Sequence, residues 1–193
     1  MAGTLAGAPS GGGGLTDRSA RVYLVGFMGS GKSTVGRRLA ARLGVPFVDL
    51  DEAFEAMAGE TIRTTFETRG EAWFRAREVE LLRGTADLPA AVVALGGGTF
   101  VFPENAAFVR RHGIPVFLDV PFEDLTERLQ EKTADRPLFR SLDEAHQLFE
   151  ARRPFYKMAD LTIPVTRETT VDDIVDQIAT AVGDTGAGPV GSR

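Results

Sequence analysis

A chain of 193 residues, 43% hydrophobic and 25% charged, can bury one sizeable core without help from disulfides or metals. It contains no cysteine, which excludes a disulfide framework and a thiolate metal site and fits a reducing compartment, while the net charge of -5 argues against nucleic acid as the main partner. No apolar run reaches the length of a membrane span, so the expectation is a single cytoplasmic domain, monomeric, with small-molecule partners.

The opening Met1 to Gly14 holds six glycines and no charge, lacks the basic and continuous apolar regions of a secretory signal, and is read as flexible. Residues 1–20 and 183–193 are assigned as tails around a domain at 21–182. The domain begins with Val22-Tyr23-Leu24-Val25, a short apolar strand, and then Gly26-Phe27-Met28-Gly29-Ser30-Gly31-Lys32-Ser33. That octet fits GxxxxGK[ST] in its required context of strand, loop and helix. In such a loop, glycines let backbone N–H groups converge on phosphate oxygens. Lysine adds a charge at the β- and γ-phosphates, and the hydroxyl joins a magnesium shell. Gly29, Ser30, Gly31, Lys32, Ser33 and Thr34 are therefore the candidate residues for binding the phosphates of a nucleoside triphosphate.

Lys32 to Leu43 carries Val35, Leu39 and Leu43 at helical spacing, with Gly44 as a stop. The short strand Val45 to Val48 ends in Asp49-Leu50-Asp51. If that tripeptide stays extended, positions i and i+2 face one way and both carboxylates enter one cleft. Glu52 to Met57 reads as helix, Gly59 breaks it, and Thr61 to Leu82 reads as one or two helices interrupted near Gly70. Arg75 and Glu78 share a face there. Ala91 to Leu95 is an all-apolar run, as in a strand covered on both faces, and runs straight into Gly96-Gly97-Gly98, which permits very close backbone approach. Helix is expected at Pro103 to His112, Pro121 to Gln130, Leu142 to Arg153 and Val171 to Val182, with strands at Ile114 to Leu118 and Leu161 to Val165. The polar stretch Lys132 to Pro137 interrupts this alternation and is read as part of a mobile lid at about residues 131–142. His112 and His146, on helices with no partner pattern, are expected at the surface, and Trp73 in packing.

Alternating strands and helices predict an α/β domain built on a mainly parallel sheet, whose ligands collect at the carboxyl ends of the strands. The glycine loop, the aspartate pair, the triple glycine and Arg136 all fall on that rim or in the lid. Phosphoryl transfer calls for such a set, because its transition state needs positioning and positive charge more than covalent help. Asp49 could hold magnesium with Ser33, Asp51 could orient or deprotonate an acceptor hydroxyl, and Arg75 with Arg152 could grip a carboxylate. Taken singly these residues have ordinary readings, the aspartates as a helix cap and the arginines as surface charges. Their joint occurrence in this order favours the site.

The succession of GxxxxGKS, Asp-Leu-Asp at Asp49 to Asp51, Gly70-Glu71-Ala72-Trp73-Phe74-Arg75 with Glu78, Gly96-Gly97-Gly98, Arg136-Pro137-Leu138 and Arg152-Arg153-Pro154-Phe155-Tyr156 resembles the shikimate kinase family over about Val22 to Val182. The resemblance implies a P-loop NTPase-like three-layer α/β/α fold with a five-stranded parallel sheet ordered 2-3-1-4-5 and a mobile lid. It also implies phosphorylation of the 3-hydroxyl of shikimate with ATP and Mg2+, which makes ATP the nucleoside triphosphate bound at Gly29 to Thr34. Carried over residue by residue, Lys32 and Ser33 serve the phosphates and the metal, and Asp49 the metal's water shell. Asp51 meets the acceptor hydroxyls, Arg75 and Arg152 the carboxylate, and Gly97 and Gly98 the ring. Glu78 orients the substrate-binding part, about residues 51–82, and Arg136 is the catalytic lid arginine, also counted with the ATP site. Arg128 is the nearest candidate for stacking on adenine, about one position off the family spacing. Leu50 stands where relatives often carry threonine and should point away from the cleft. Thr99-Phe100 is bulkier than usual and is expected to narrow the acceptor pocket. Two alternatives stay open: a kinase of another hydroxy acid or polyol such as gluconate, and a nucleotide-binding regulatory protein without metabolic turnover.

Overall fold

The computed structural model describes residues 21–126 and 141–183. Five parallel strands form one sheet in the order β2-β3-β1-β4-β5: β1 (Arg21–Val25), β2 (Phe47–Asp49), β3 (Ala91–Ala94), β4 (Ile114–Asp119) and β5 (Leu161–Pro164). The helices are α1 (Lys32–Leu43), α2 (Leu50–Ala58), α3 (Ile62–Thr68), α4 (Glu71–Gly84), α5 (Pro103–His112), α6 (Leu142–Tyr156) and α7 (Val171–Val182). Residues 122–126 are helical as expected; the remainder of that predicted helix, the tails and nearly all of the proposed lid lie outside the described residues.

Burial explains the sheet order. Every residue of β1 and β3 is buried, as their unbroken apolar runs require, and they pair in the middle of the sheet with Tyr23 opposite Val93. The strand order reverses around β1, and the loop after β1 therefore opens at a switch point. α1 packs against α7, and α5 against β4, which gives the helical layers on the sheet. At the amino end of β1, away from that loop, Arg21 is buried. Its guanidinium donates to the carbonyls of Leu88 (2.7 Å), Ala86 (2.9 Å) and His112 (3.2 Å), a wholly structural use of charge.

Two boundaries differ from the sequence reading in ways that matter for the site. The chain does not stay extended through Asp51: β2 stops at Asp49 and α2 starts at Leu50, because the Asp49 carboxylate caps the helix by accepting from the N–H groups of Asp51 and Glu52. Leu50 is buried in the main core and points away from the cleft. The second boundary is the end of α6, which runs on to Tyr156 although Pro154 lies inside it. Proline removes one N–H, but in the last turn the helix can end on other bonds, and Lys157 N–H closes onto the Arg153 and Phe155 carbonyls.

Between β2 and β3, α2, α3 and α4 form a compact insert with its own small core. Phe54 and Phe74 are buried but outside the main cluster. Their rings pack at 4.7 Å, Phe66 joins Phe74 at 4.9 Å, and Trp73 meets Phe54 edge-on at 6.0 Å. Trp73 is a packing residue, with the Arg69 and Arg77 guanidinia over its ring. This aromatic cluster fixes α4, and hence Arg75 and Glu78, to α2. Phe54→Ala is expected to lower stability by about 3 kcal/mol or more in urea unfolding, the range for a buried phenylalanine; a loss below about 1 kcal/mol would show that the cluster does not hold the insert.

Candidate active site

The phosphate cradle is built by two glycines that no other residue could replace cheaply. Gly29 (φ 80°) and Gly31 (φ 90°) take left-handed backbone conformations. Gly31 caps α1 without a side-chain hydrogen bond, and the first turn carries no acidic residue. α2, α3, α6 and α7 are capped by the side chains of Asp49, Thr61, Ser141 and Thr170, whereas α4 and α5, like α1, have no side-chain cap. The first-turn N–H groups of α1 and the positive end of its dipole are thus left for an anion. The Lys32 ammonium reaches back over the loop, donating to the carbonyls of Gly26 (2.9 Å) and Phe27 (3.0 Å). Ser30 is buried, and its Oγ has no hydrogen-bond partner among the described residues. Thr34 is exposed in the first turn. The unspecified motif positions anchor the loop: Phe27 and Met28 are core residues, and the Phe27 ring meets Phe149 of α6 edge-on at 5.4 Å.

Asp49 does two things at once. One oxygen caps α2, taking 3.0 Å and 3.4 Å bonds from Asp51 and Glu52 N–H, and the other accepts from Ser33 Oγ at 2.5 Å. The cap role of this residue is thus observed, and its second oxygen is turned to Ser33. A hydroxyl and a carboxylate so close form a hard oxygen pair that suits Mg2+, which keeps most of its shell as water and phosphate oxygens. Among the described residues no three His, Cys, Asp or Glu side chains gather as a protein-only metal cage.

The turn after β3 collects the acceptor-side residues. Gly96 O accepts from Thr99 N–H at 3.1 Å, closing a tight turn with Gly97 and Gly98 at its corners. A methyl group on Gly96 would stand 2.8 Å from Glu78 Oε1 and 2.9 Å from Asp51 Oδ1. One on Gly98 would stand 3.0 Å from both terminal nitrogens of Arg75. One on Gly97 would lie 3.6 Å from Met28 N, 3.8 Å from Arg152 Nη1 and 4.0 Å from Gly26 O. Asp51 therefore reaches the same rim as Asp49 from the first turn of a helix, by a route different from the extended geometry expected of it.

Arg75 is held on several sides. It donates to Glu78 Oε2 (2.9 Å) and twice to Glu71 Oε1 (3.1 and 3.2 Å), and its guanidinium lies 5.0 Å from the Phe74 ring and 5.3 Å from the Phe102 ring. The Glu78 side chain is only 4% exposed, and its second oxygen accepts from Thr99 Oγ1 at 2.7 Å. Thr99 and Phe100 are both buried, Phe100 in the main core and Thr99 against Glu78. Arg152 Nη1 is buried without a hydrogen-bond partner of its own among the described residues, while the guanidinium as a whole interacts with the Tyr156 hydroxyl; its remaining donors suit an anionic ligand. The adjacent Arg153 is engaged elsewhere, in a bidentate pair with Asp119 at 3.1 and 3.2 Å.

Of the predicted site residues, the structure brings the loop, Asp49, Asp51, Arg75, Glu78, Gly97, Gly98 and Arg152 to one rim. Arg128 and Arg136 lie outside the described residues. Sequence reasoning missed Glu71, Thr99 and Tyr156. Glu71 was legible as the i,i+4 partner of Arg75. Tyr156, whose hydroxyl donates to the Gly97 carbonyl, stands four residues after Arg152, but Pro154 had placed the end of the helix before it. His146 is exposed beside Glu150, and His112 Nδ1 is bonded to Phe108 O.

Fold and site together define a P-loop phosphotransferase with its acceptor pocket against the cradle. The shikimate kinase family model matches residues 28–183. A shikimate kinase of Microcystis aeruginosa is 44% identical over 168 residues, covering 86% of this chain and 87% of the relative. The chain belongs to the shikimate kinase family. Among solved structures, a shikimate kinase from Acinetobacter baumannii in complex with shikimate superposes with a TM-score of 0.79 at 36% identity, covering 84% of this chain and 92% of that one. A gluconokinase from Sinorhizobium meliloti, at 19% identity, TM-score 0.50 and coverage of 86% and 92%, shares the fold alone.

Because a side chain on Gly98 would displace the Arg75 guanidinium, Gly98→Ala is expected to weaken acceptor binding by about 10- to 100-fold, the worth of one charge-assisted contact. Calorimetric titration of the acceptor measures this, and unchanged affinity would mean that Arg75 does not bind it.

Proposed function

We propose that this protein transfers the γ-phosphoryl group of ATP to the 3-hydroxyl of shikimate, giving shikimate 3-phosphate and ADP on the route to chorismate. One observation carries the reading: Gly97 packs against the phosphate loop at Met28 and Gly26 and against Arg152, while its neighbour Gly98 packs against Arg75. A carboxylate clamp directly beside a triphosphate cradle fits an acidic acceptor presented in line to the γ-phosphate.

In this reading the α1 N-terminus, Gly29 to Thr34 and Lys32 hold the phosphates, and Arg75 and Arg152 bind the acceptor carboxylate. Glu78, neutralising part of the Arg75 charge from below, orients that guanidinium. Asp51 faces the acceptor hydroxyls. As the hydroxyl oxygen bonds to the γ-phosphorus and the bond to the β-phosphate oxygen breaks, Asp51 orients the hydroxyl and receives its proton. Mg2+, held through Ser33 and Asp49, would neutralise phosphate charge. Arg136 is assigned to the transferring phosphate on its Arg-Pro-Leu motif, and Arg128 to adenine on its place in the sequence. The reading is of a monomer working in the cytoplasm, a reducing compartment that a cysteine-free chain fits.

A coupled ADP-release assay over shikimate, quinate, gluconate and nucleoside monophosphates is expected to show turnover that depends on shikimate. Absence of shikimate-dependent ADP release overturns the reading, and gluconate-dependent release would favour the polyol alternative. Lys32→Met, which leaves the loop glycines intact, is expected to lower kcat by about 100-fold or more, as loss of one preorganised charge contact does. A near-normal kcat would remove Lys32 from the mechanism.

A further inference from the structure

Tyr156 is buried (1% exposed), ionisable, and used by none of the steps above. Its hydroxyl donates to the carbonyl of Gly97, in the middle of the turn that carries the acceptor pocket. In a turn closed from Thr99 N–H to Gly96 O, the Gly97–Gly98 peptide is the central one, and it can face either way. A type I turn puts its third residue near φ of about -90° and ψ of about 0°; the flipped, type II turn needs φ of about +80° there, a value that glycine adopts without strain. Gly98 has φ -101° and ψ -11°, the type I arrangement. A turn with glycine at both corners does not choose between the two by itself. Here the choice coincides with an outside contact, the Tyr156 hydroxyl on the central carbonyl.

The consequence for the pocket follows from peptide planarity. In a trans peptide the C=O and N–H point in opposite directions, so a carbonyl drawn back to Tyr156 turns the Gly98 N–H to the other side of the turn. After a flip the carbonyl oxygen would stand in its place, an acceptor facing an anionic ligand between Arg75 and Arg152. We propose that Tyr156 is a positioning residue that locks the Gly97–Gly98 peptide with its N–H, and not its carbonyl, presented to the acceptor. The lock requires a phenol that keeps its proton. Burial pushes Tyr156 up to about 12, the Arg152 charge and its hydrogen bond to the phenol oxygen pulling the other way, so the donor persists through the neutral range. The position of Tyr156 on α6, four residues after Arg152, ties the turn and the clamp to one helix. The proposal rests on the shikimate reading for the identity of the acceptor, but not for the peptide lock itself.

The test is Tyr156→Phe, which keeps the ring and removes the donor. The KM for shikimate is expected to rise about 5- to 10-fold, the worth of one hydrogen bond, with the KM for ATP unchanged. In 15N spectra of the protein without substrates, the Gly98 amide should broaden or double in the variant while core amides stay put. Because the phenol oxygen also interacts with Arg152, a rise in shikimate KM alone does not establish the lock: a variant with a single sharp Gly98 resonance overturns the proposal whatever its KM, as does an equal rise in both KM values. If the wild-type protein fails to phosphorylate shikimate, the function is wrong, and the Gly98 amide still decides the lock. Should Tyr156→Phe not fold, replacement of both tyrosines by tetrafluorotyrosine keeps the side-chain frame with a far more acidic phenol. The shikimate KM is then expected to climb with pH as the donor is lost, with a Tyr23→Phe background to isolate Tyr156; a flat profile overturns the proposal.

Discussion

The site depends on one constraint: the turn after β3 is so closely packed that a methyl group on Gly96 or Gly98 would crowd the charged side chains around it. Four charged side chains from three helices converge on its glycines, Asp51 from α2, Arg75 and Glu78 from α4 and Arg152 from α6, while the phosphate loop closes on Gly97 from β1. None of these glycines has a positive φ among the described residues. They are needed for close approach, and conformational freedom is not the reason. Donor and acceptor machinery can therefore share a wall one residue thick, which the in-line transfer of a phosphoryl group requires.

Around that wall the polar groups form chains whose members satisfy one another. Thr99 donates to Glu78, Arg75 donates to Glu78 and Glu71, and Asn105 donates to the Thr99 carbonyl at 3.1 Å. A carboxylate as buried as Glu78 would be costly alone; bonded through both oxygens it becomes a rigid mount for a guanidinium. Asp49 is the matching device on the donor side, tying the start of α2 to Ser33. The two buried side-chain atoms that lack a hydrogen-bond partner among the described residues, Ser30 Oγ and Arg152 Nη1, lie in the phosphate loop and beside Gly97.

Much of the fold could be read from the chain. All five strands and their parallel pairing followed from short apolar runs alternating with amphipathic helices, and the sheet order came with the family resemblance. The errors are instructive because they are local rules overruled by context. Asp49-Leu50-Asp51 looked extended, yet the capping power of Asp49 starts a helix one residue later. Pro154 looked like a terminus, yet a proline in a last turn removes a bond that the turn can do without. That misplaced end concealed Tyr156. Thr99 and Phe100 were read for bulk alone, yet Phe100 joins the main core and Thr99 bonds to Glu78, a matter of side-chain direction that composition does not carry.

The sequence by itself determined the phosphate cradle, because its chemistry is local: the left-handed glycines, the uncapped helix start, Lys32 and Ser33 are neighbours along the chain, and backbone geometry alone brings them together. Only the tertiary structure decided how the acceptor pocket is made. Its parts are separated by up to about a hundred residues and meet through the stacking of α2, α4 and α6 on one glycine turn, a convergence set by sheet order and side-chain packing that no short-range pattern encodes.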